Sequence, residues 1–220
     1  MARTAVIAPD TLAARSSSVR ESTVYSSVVK PTVDRVIAAL LLIILVPLIV
    51  VIACSIRLRL GPGVIYGQRR VGKDQRTFTM YKFRTMAPDR RCCQKPFCGV
   101  DRRVMHKCDD DPRHTRLGRK LRQWSLDEIP QLWNVLRGDM SLVGPRPELV
   151  DVVAKYGLWE HPRHWVKPGI TGLFQISPDR AGLLHENVHY DREYVSRCGF
   201  RHDIRILLRT PRAVLQRYGR

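Results

Sequence analysis

Residues 116–147, RLGRKLRQWSLDEIPQLWNVLRGDMSLVGPRP, concentrate the groups that could do chemistry. Asp127 and Glu128 stand directly before Ile129-Pro130 and an apolar-periodic run of Leu132, Trp133, Val135 and Leu136. Proline is comfortable only in a helix's first turn, so a helix should begin at about residues 125–128 with both acids at its tip. The macrodipole and the unpaired amides at that end favour ionised carboxylates. Arg116, Arg119, Lys120, Arg122, Arg137 and Arg146 flank the pair. Carboxylates among arginines can bind a divalent ion together with phosphates, or attack phosphorus while the arginines absorb charge. The plainer reading is a capping box, Ser125-x-x-Glu128, with Asp127 merely complementing the dipole. These residues alone leave both readings open.

Three other constellations are weaker. His185-Glu186-Asn187-Val188-His189 matches the HExxH pattern of zinc proteases, with Glu193 or His202 as a third ligand. A membrane-tethered zinc protease is therefore the alternative function, against surface histidines on an amphipathic helix. The segment 67–74, GQRRVGKD, falls one residue short of a phosphate-binding loop, because Asp74 replaces the hydroxyl that would hold Mg²⁺. It reads better as a hairpin connection. Cys92, Cys93, Cys98 and Cys108, with His106 and His114, offer soft donors, but their spacings fit no paired CxxC site.

The elements that must position these groups follow an unusual plan. Residues 1–29 read as a disordered, serine-rich tail. Residues 36–56, VIAALLLIILVPLIVVIACSI, carry no charge, and as one helix would reach ~30 Å, enough for a bilayer core. A secretory signal would have a shorter apolar core, and soluble cores rarely demand uniform hydrophobicity over this length. Lys30 and Arg35 precede the run, and Arg57, Arg59, Arg69 and Arg70 follow it, so both flanks are drawn to the cytoplasmic side. A hairpin satisfies both, and Pro47 supplies the break. Residues 30–60 are thus expected to form a re-entrant, Pro-broken helix rather than a straight span. Residues 64–66 and 77–83 have strand composition around Gly72-Lys73-Asp74, which predicts a short hairpin. Helical patches then alternate with Pro/Gly punctuation through a domain expected over 61–210, followed by a basic tail at 211–220. Arg201, Arg205, Arg209 and Arg212 fall at helical spacing, as on a helix lying on an anionic membrane surface or an ordinary solvated face.

Composition bounds the partners. With 38 Lys+Arg against 20 Asp+Glu, the chain carries a formal net charge of +18, which calls for an acidic partner such as nucleic acid, an anionic membrane face or phosphorylated substrates. Hydrophobic residues at 44% exclude a disordered chain, and no helix-turn-helix or RNA-binding signature favours nucleic acid. Six cysteines in a chain of 220 residues do not suggest a disulfide-stapled secreted module.

Taken in order, Asp34-Arg35 before the broken apolar run, GPGVIYGQRRVG, FTMYKFRTM, the block through LDEIPQLWNVLRGDMSLVGPRPEL, KPGITGLFQIS, and YDREYV with Asp203-Ile204 and Thr210 resemble the bacterial sugar transferases. Within that group the resemblance is to the monotopic polyprenyl-phosphate hexose-1-phosphate transferases. It implies a mainly α fold with a small β-hairpin (α+β), monotopic on the cytoplasmic face of the bacterial inner membrane. It further implies transfer of a hexose 1-phosphate from a UDP-sugar to polyprenyl (undecaprenyl) phosphate, with release of UMP, as the start of a lipid-linked exopolysaccharide, capsule or O-antigen. Asp127 matches the nucleophile that forms a covalent phosphosugar intermediate and binds Mg²⁺; Glu128 matches its catalytic partner. Lys82, Arg84, Arg122, Arg146 and Arg180 match substrate- and phosphate-binding positions. The hexose and the glycan stay unspecified, and a homo-oligomer is allowed. The chain departs from the family in its long cysteine-bearing segment 92–108 and in SPDR at 177–180, which bears on Arg180.

Overall fold

The computed structural model describes residues 24–87, 115–155, 157–158, 161–181 and 187–215. The tail up to residue 23, the cysteine-bearing segment 92–108 and His185-Glu186 lie outside these residues. Part of the expected tail is helical, because Tyr25–Val29 form a π-helical segment that runs into helix α1, Lys30–Ile44. Tertiary contacts explain the difference. The Tyr25 hydroxyl donates to Asp203 Oδ2 at 2.7 Å, and its ring meets Phe200 edge-on with centroids 6.1 Å apart.

Helix α2, Val46–Leu60, leaves α1 at 63°, so the expected break is present. Pro47 has no N–H to donate to the Ile43 carbonyl, and the chain turns at Leu45, φ −86° and ψ 0°. Among the described residues no single helix is long and apolar enough to cross a membrane, although this bent pair passes that test together. One side of the pair packs inward through Ala38, Ile52 and Ile56, while Val36, Leu40, Ile43, Ile44, Val46, Val50 and Val51 are exposed. A buried core helix would not leave so large an apolar face uncovered.

Strands β1, Ile65–Val71, and β2, Thr77–Phe83, form the expected antiparallel hairpin, with Ile65 opposite Phe83 and Val71 opposite Thr77. β1 runs well past residue 66, since its polar half has partners. Arg70 donates to Gln68 Oε1 at 2.7 Å and, at 3.1 Å, to the Pro147 carbonyl beside strand β4, Glu148–Leu149, which extends the sheet to β2-β1-β4. A second, parallel pair of β3, Ser141–Val143, and β5, Gly169–Thr171, was not expected from the sequence. Three-residue strands are too short to show a period. They meet where glycines let two backbones touch: a Cβ on Gly169 would lie 2.1 Å from the Gly144 nitrogen.

Helix α3, Arg116–Gln123, is followed by a one-turn 3-10 helix, Leu126–Glu128, and by α4, Gln131–Arg137. Short helices α5, Val150–Lys155, and α6, Leu173–Ile176, and the 3-10 turns Pro162–Trp165 and Pro178–Ala181 lead to α7, His189–Ser196, and α8, Phe200–Leu215. α8 continues through Pro211, so the basic tail expected from residue 211 begins inside a helix. Its Arg201, Arg205, Arg209 and Arg212 are exposed, whereas Asp203, Ile206 and Ala213 face inward. The main core joins Ala38 of α1, Met80 of β2, Val135 of α4, Val143 of β3, Tyr194 of α7 and Ile206 of α8. A second cluster packs Ile52 and Ile56 of α2 against Phe83 and Leu121. Buried polar contacts fasten the N-terminal helix to this body: Lys30 pairs with Asp203, and the Ser141 hydroxyl donates to Asp34.

Two local features hold the chain around residues 116–147. Thr115 caps α3 by accepting from the Gly118 amide at 2.9 Å and donates to the Thr85 carbonyl at 3.0 Å. That approach requires glycine, since a Cβ at 118 would sit 1.8 Å from the Thr85 oxygen. Farther on, Arg163 is 3 % exposed; it donates to the Arg146 carbonyl at 2.6 Å and pairs with Asp191 at 3.2 Å. Burial outweighs the Arg163 charge and raises the Asp191 carboxyl to about 6, and burial together with Arg163 and Arg192 lowers His161 to about 4, so that imidazole is neutral at pH 7.

Gly118→Ala should therefore lower stability by about 1–3 kcal/mol, as overpacking does, despite alanine's better helix propensity; a melting temperature at or above that of the wild type would contradict the packing argument. For Asp191 the sign follows from its raised folded pKa: the native state holds this proton more tightly than the unfolded chain. Its contribution is most favourable below pH 4 and declines, by on the order of 3 kcal/mol, as pH rises through about 6. Denaturation of wild type and Asp191→Asn at several pH values should show that slope only in the wild type; parallel curves would refute it.

Candidate active site

The acids expected at a helix tip occupy the separate 3-10 turn Leu126–Glu128, and Pro130 (φ −61°) is the N-cap of α4. Ser125 turns the chain there in the left-handed region, φ 55°, and its side chain makes no capping bond, so the capping box does not form. Glu128 instead gathers cations. Its Oε1 accepts from Lys82 Nζ of β2 at 2.9 Å and from Arg146 Nη2 at 3.1 Å. Three segments distant in sequence thus meet at one carboxylate oxygen. Charge-assisted bonds in so dry a place are stronger than on a surface.

Asp127 is 8 % exposed, and among the described residues no side chain hydrogen-bonds to its carboxylate. Burial raises its pKa; Lys82 opposes that shift, Glu128 adds to it, and Arg146 and Arg122 also oppose it. Burial lowers the Lys82 pKa against the pull of Glu128, while Glu128 holds Arg146 above its ordinary value. Among the described residues, the centre is therefore a buried aspartate that accepts no side-chain hydrogen bond, beside a glutamate engaged by two cations.

α4 is fixed beside this centre by Asn134, which is fully buried and imitates a strand. Its Oδ1 accepts from the Tyr81 amide at 3.0 Å and its Nδ2 donates to the Thr79 carbonyl at 2.8 Å, along the free edge of β2. Arg122 joins the centre through its charge, with Nη1 donating to Thr85 Oγ1 at 2.9 Å. Arg84 is engaged elsewhere: its Nη2 donates to the carbonyls of Leu60 and Gly61, at 2.7 and 2.8 Å, closing the C-terminal end of α2. Arg180 is half-buried in the turn Pro178–Ala181, and among the described residues its side chain makes no hydrogen bond to Asp127 or Glu128. The supporting roles of Asn134, Arg163 and Asp191 were not legible in the sequence. A polar residue at a helical core position is the one signal that could have marked Asn134.

Among the described residues no group of three or more His, Cys, Asp or Glu could hold a metal ion by itself. Two groups of the zinc-protease alternative, His185 and Glu186, lie outside the described residues; of the others, Glu193 accepts from Arg197 at 2.7 Å, and the exposed His189 stacks against Tyr190 with centroids 4.1 Å apart. Mg²⁺ makes a different demand. It is commonly held by one or two carboxylates together with substrate phosphates and water, and the uncommitted Asp127 oxygens fit that mode.

A family model described as bacterial sugar transferase matches residues 25–217. The undecaprenyl-phosphate galactose phosphotransferase of Salmonella typhimurium is 38% identical over 200 residues, covering 88% of this chain and 42% of the relative. The UDP-glucose:undecaprenyl-phosphate glucose-1-phosphate transferase of Xanthomonas campestris is 36% identical over 199 residues, covering 87% and 40%. The exopolysaccharide production protein ExoY of Sinorhizobium fredii is 38% identical over 191 residues, covering 84% of each. This chain therefore spans about two fifths of the first two relatives and most of the third. With nearly all of its described residues inside the family match, the chain belongs to the bacterial sugar transferase family.

Proposed function

We propose that this chain transfers a hexose 1-phosphate from a UDP-sugar to polyprenyl phosphate at the cytoplasmic face of the bacterial inner membrane, so beginning a lipid-linked glycan. The observation that carries the reading is Asp127: buried, with no hydrogen bond from a described side chain, and set among the charges of Lys82, Arg122 and Arg146. An aspartate whose anion is disfavoured by burial is a better nucleophile than an exposed one, and fixed cations can receive the charge that develops on phosphate oxygens. The names of the Salmonella and Xanthomonas relatives support an undecaprenyl phosphate acceptor, and the Xanthomonas name also a UDP-sugar donor.

The reaction then has two displacements at one phosphorus. An Asp127 oxygen attacks the β-phosphorus of the UDP-sugar, the bond to the bridging oxygen breaks, and UMP leaves with the electron pair. The carboxylate now carries the sugar phosphate as an acyl phosphate, which is reactive enough to be passed on. An oxygen of the polyprenyl phosphate attacks the same phosphorus, releasing the Asp127 carboxylate and the lipid diphosphosugar. Glu128 holds Lys82 and Arg146 in register throughout, and the forked guanidiniums of Arg122 and Arg146 suit phosphate oxygens. Mg²⁺, held by Asp127 and the phosphates, would supply charge neutralisation on the diphosphate. The exposed apolar face of α1 and α2 would enter the bilayer as a re-entrant pair and keep the centre at the level of the lipid phosphate.

Purified wild type given a cognate UDP-sugar without acceptor should release UMP and gain the mass of a hexose phosphate on Asp127. Asp127→Asn should lose both the adduct and transfer, the latter by on the order of 10³-fold or more, because an amide is a poor nucleophile. Transfer retained by that variant would remove the covalent step. Topology is tested separately. Cysteine reporters placed before residue 36 and after residue 56 should both react from the cytoplasmic side of intact cells, whereas opposite labelling would mean a straight span.

A further inference from the structure

An apolar cavity of about 350 Å³ lies where the broken helix pair meets the hairpin, and the two displacements make no use of it. Its walls are Leu42 of α1, Ile49 of α2, Ile65 of β1, Tyr81 and Phe83 of β2, and Ile129, Pro130 and Trp133 leading into α4. Apart from the Tyr81 hydroxyl and the Trp133 ring nitrogen, these side chains offer nothing to a polar ligand. Ile65 and Trp133 are half-exposed at the rim, and Phe83 is buried deep inside.

Position gives the cavity its meaning. Successive side chains of a strand point to opposite faces, so Tyr81 and Phe83 turn one way and Lys82 the other. Lys82 reaches Glu128, whereas the next residues, Ile129 and Pro130, line the cavity. The charged centre and the apolar cavity therefore lie on the two sides of β2, joined around its edge by adjacent residues of one turn. A ligand with an anionic head and a hydrocarbon tail could set its head beside Asp127 and fold its tail past Ile129. At roughly 30 Å³ per water- or methylene-sized group, the cavity has room for about a dozen carbons, or two to three isoprene units.

We infer that this cavity receives the first isoprene units of the polyprenyl phosphate, next to its phosphate, and thereby orients the acceptor for the second displacement. The inference rests on the transferase reading above. Two features favour the lipid acceptor over a protein segment. The cavity is walled by both halves of the helix pair, whose outer residues Ile43, Ile44 and Val46 are exposed beside it. The Salmonella and Xanthomonas relatives, moreover, are named for an undecaprenyl phosphate substrate. Inside a bilayer the tail gains little from leaving water, so the cavity acts by shape and placement. Its effect belongs in the acceptor KM and in discrimination between branched and straight chains, not in binding of the UDP-sugar.

Two measurements test this. Filling the cavity with Leu42→Trp or Ile49→Trp should raise KM for polyprenyl phosphate about tenfold or more, while KM for the UDP-sugar moves less than twofold. An unchanged acceptor KM in either variant that retains its wild-type melting temperature would overturn the inference. Because tryptophan could instead disturb folding, the second measurement uses wild type in nanodiscs with a polyprenyl phosphate carrying a diazirine on its second isoprene unit. Crosslinks, assigned to single residues by fragmentation, should fall on Ile49 and within Ile129–Trp133, and a phospholipid with the diazirine at the same depth should not compete for them. Crosslinks confined to Ile43, Val50 and Val51, or equal labelling by the phospholipid probe, would place the tail outside the cavity. Failure of the transferase reading would look different: wild type would form no hexose-phosphate adduct with any UDP-sugar.

Discussion

A single carboxylate oxygen, Glu128 Oε1, is the point on which the centre depends. Lys82 comes from a strand, Arg146 from the loop between β3 and β4, and Glu128 from a 3-10 turn; without the shared anion, two partly buried cations would be left close together with no counter-charge between them. Removing one member of a buried ion pair leaves a charge that the interior cannot solvate, which is far costlier than losing an exposed pair. The backbone around Arg146 is secured in turn, by Arg163 on its carbonyl and by Arg70 on the neighbouring Pro147 carbonyl. Glu128 and the props behind Arg146 together free Asp127 from structural work. Its neighbours are fixed by other bonds, so its oxygens are open to a phosphorus or a metal ion.

The same logic governs the attachment of the helix pair. An apolar helix with one exposed face gains nothing specific by packing against a basic protein, and hydrophobic contact alone would let it slide. Lys30 against Asp203, and Ser141 against Asp34, set its rotation and register, because each buried charge or hydroxyl has its partner at only one position. Arg84, expected among the phosphate ligands, serves the other end of the pair by binding the last carbonyls of α2. The proposed depth of the centre at a bilayer surface would thus be set at both ends of the broken helix by polar contacts, with the exposed apolar residues as its proposed contact with lipid.

What could be read from residues alone follows from the range of the interactions concerned. The break near Pro47 and the hairpin are local consequences of a missing amide and of periodicity, and both are present; the helix expected from about residues 125–128 begins only at Gln131, with the acids in a 3-10 turn before it. Arg146 was legible as one of several arginines near Glu128, but the pairing with Lys82 is a long-range event that neither spacing nor propensity encodes, and Lys82 entered the sequence reading only through family resemblance. The parallel β3–β5 pair was invisible because glycine contacts, not strand propensity, create it. Tyr25–Val29 has no amphipathic period and is ordered by what Tyr25 touches on α8. Local chemistry was legible; closure of the chain on itself was not.

Charge distribution completes the physical case for a phosphate-rich substrate. A formal charge of +18 on 220 residues would repel itself into expansion unless it were dispersed or partnered. The structure divides it: Arg201, Arg205, Arg209 and Arg212 lie along the exposed side of α8, Arg116, Arg119 and Lys120 on the exposed side of α3, and Lys82 and Arg146 are drawn inside by Glu128. The outer groups act at long range and are screened by salt, which suits holding an anionic surface or guiding a nucleotide toward it. The inner pair is screened little and fixed in place, which suits stabilising charge that appears only during reaction. One acid keeps the two inner cations within reach of Asp127, the arrangement that the proposed phosphoryl transfer would require at this turn.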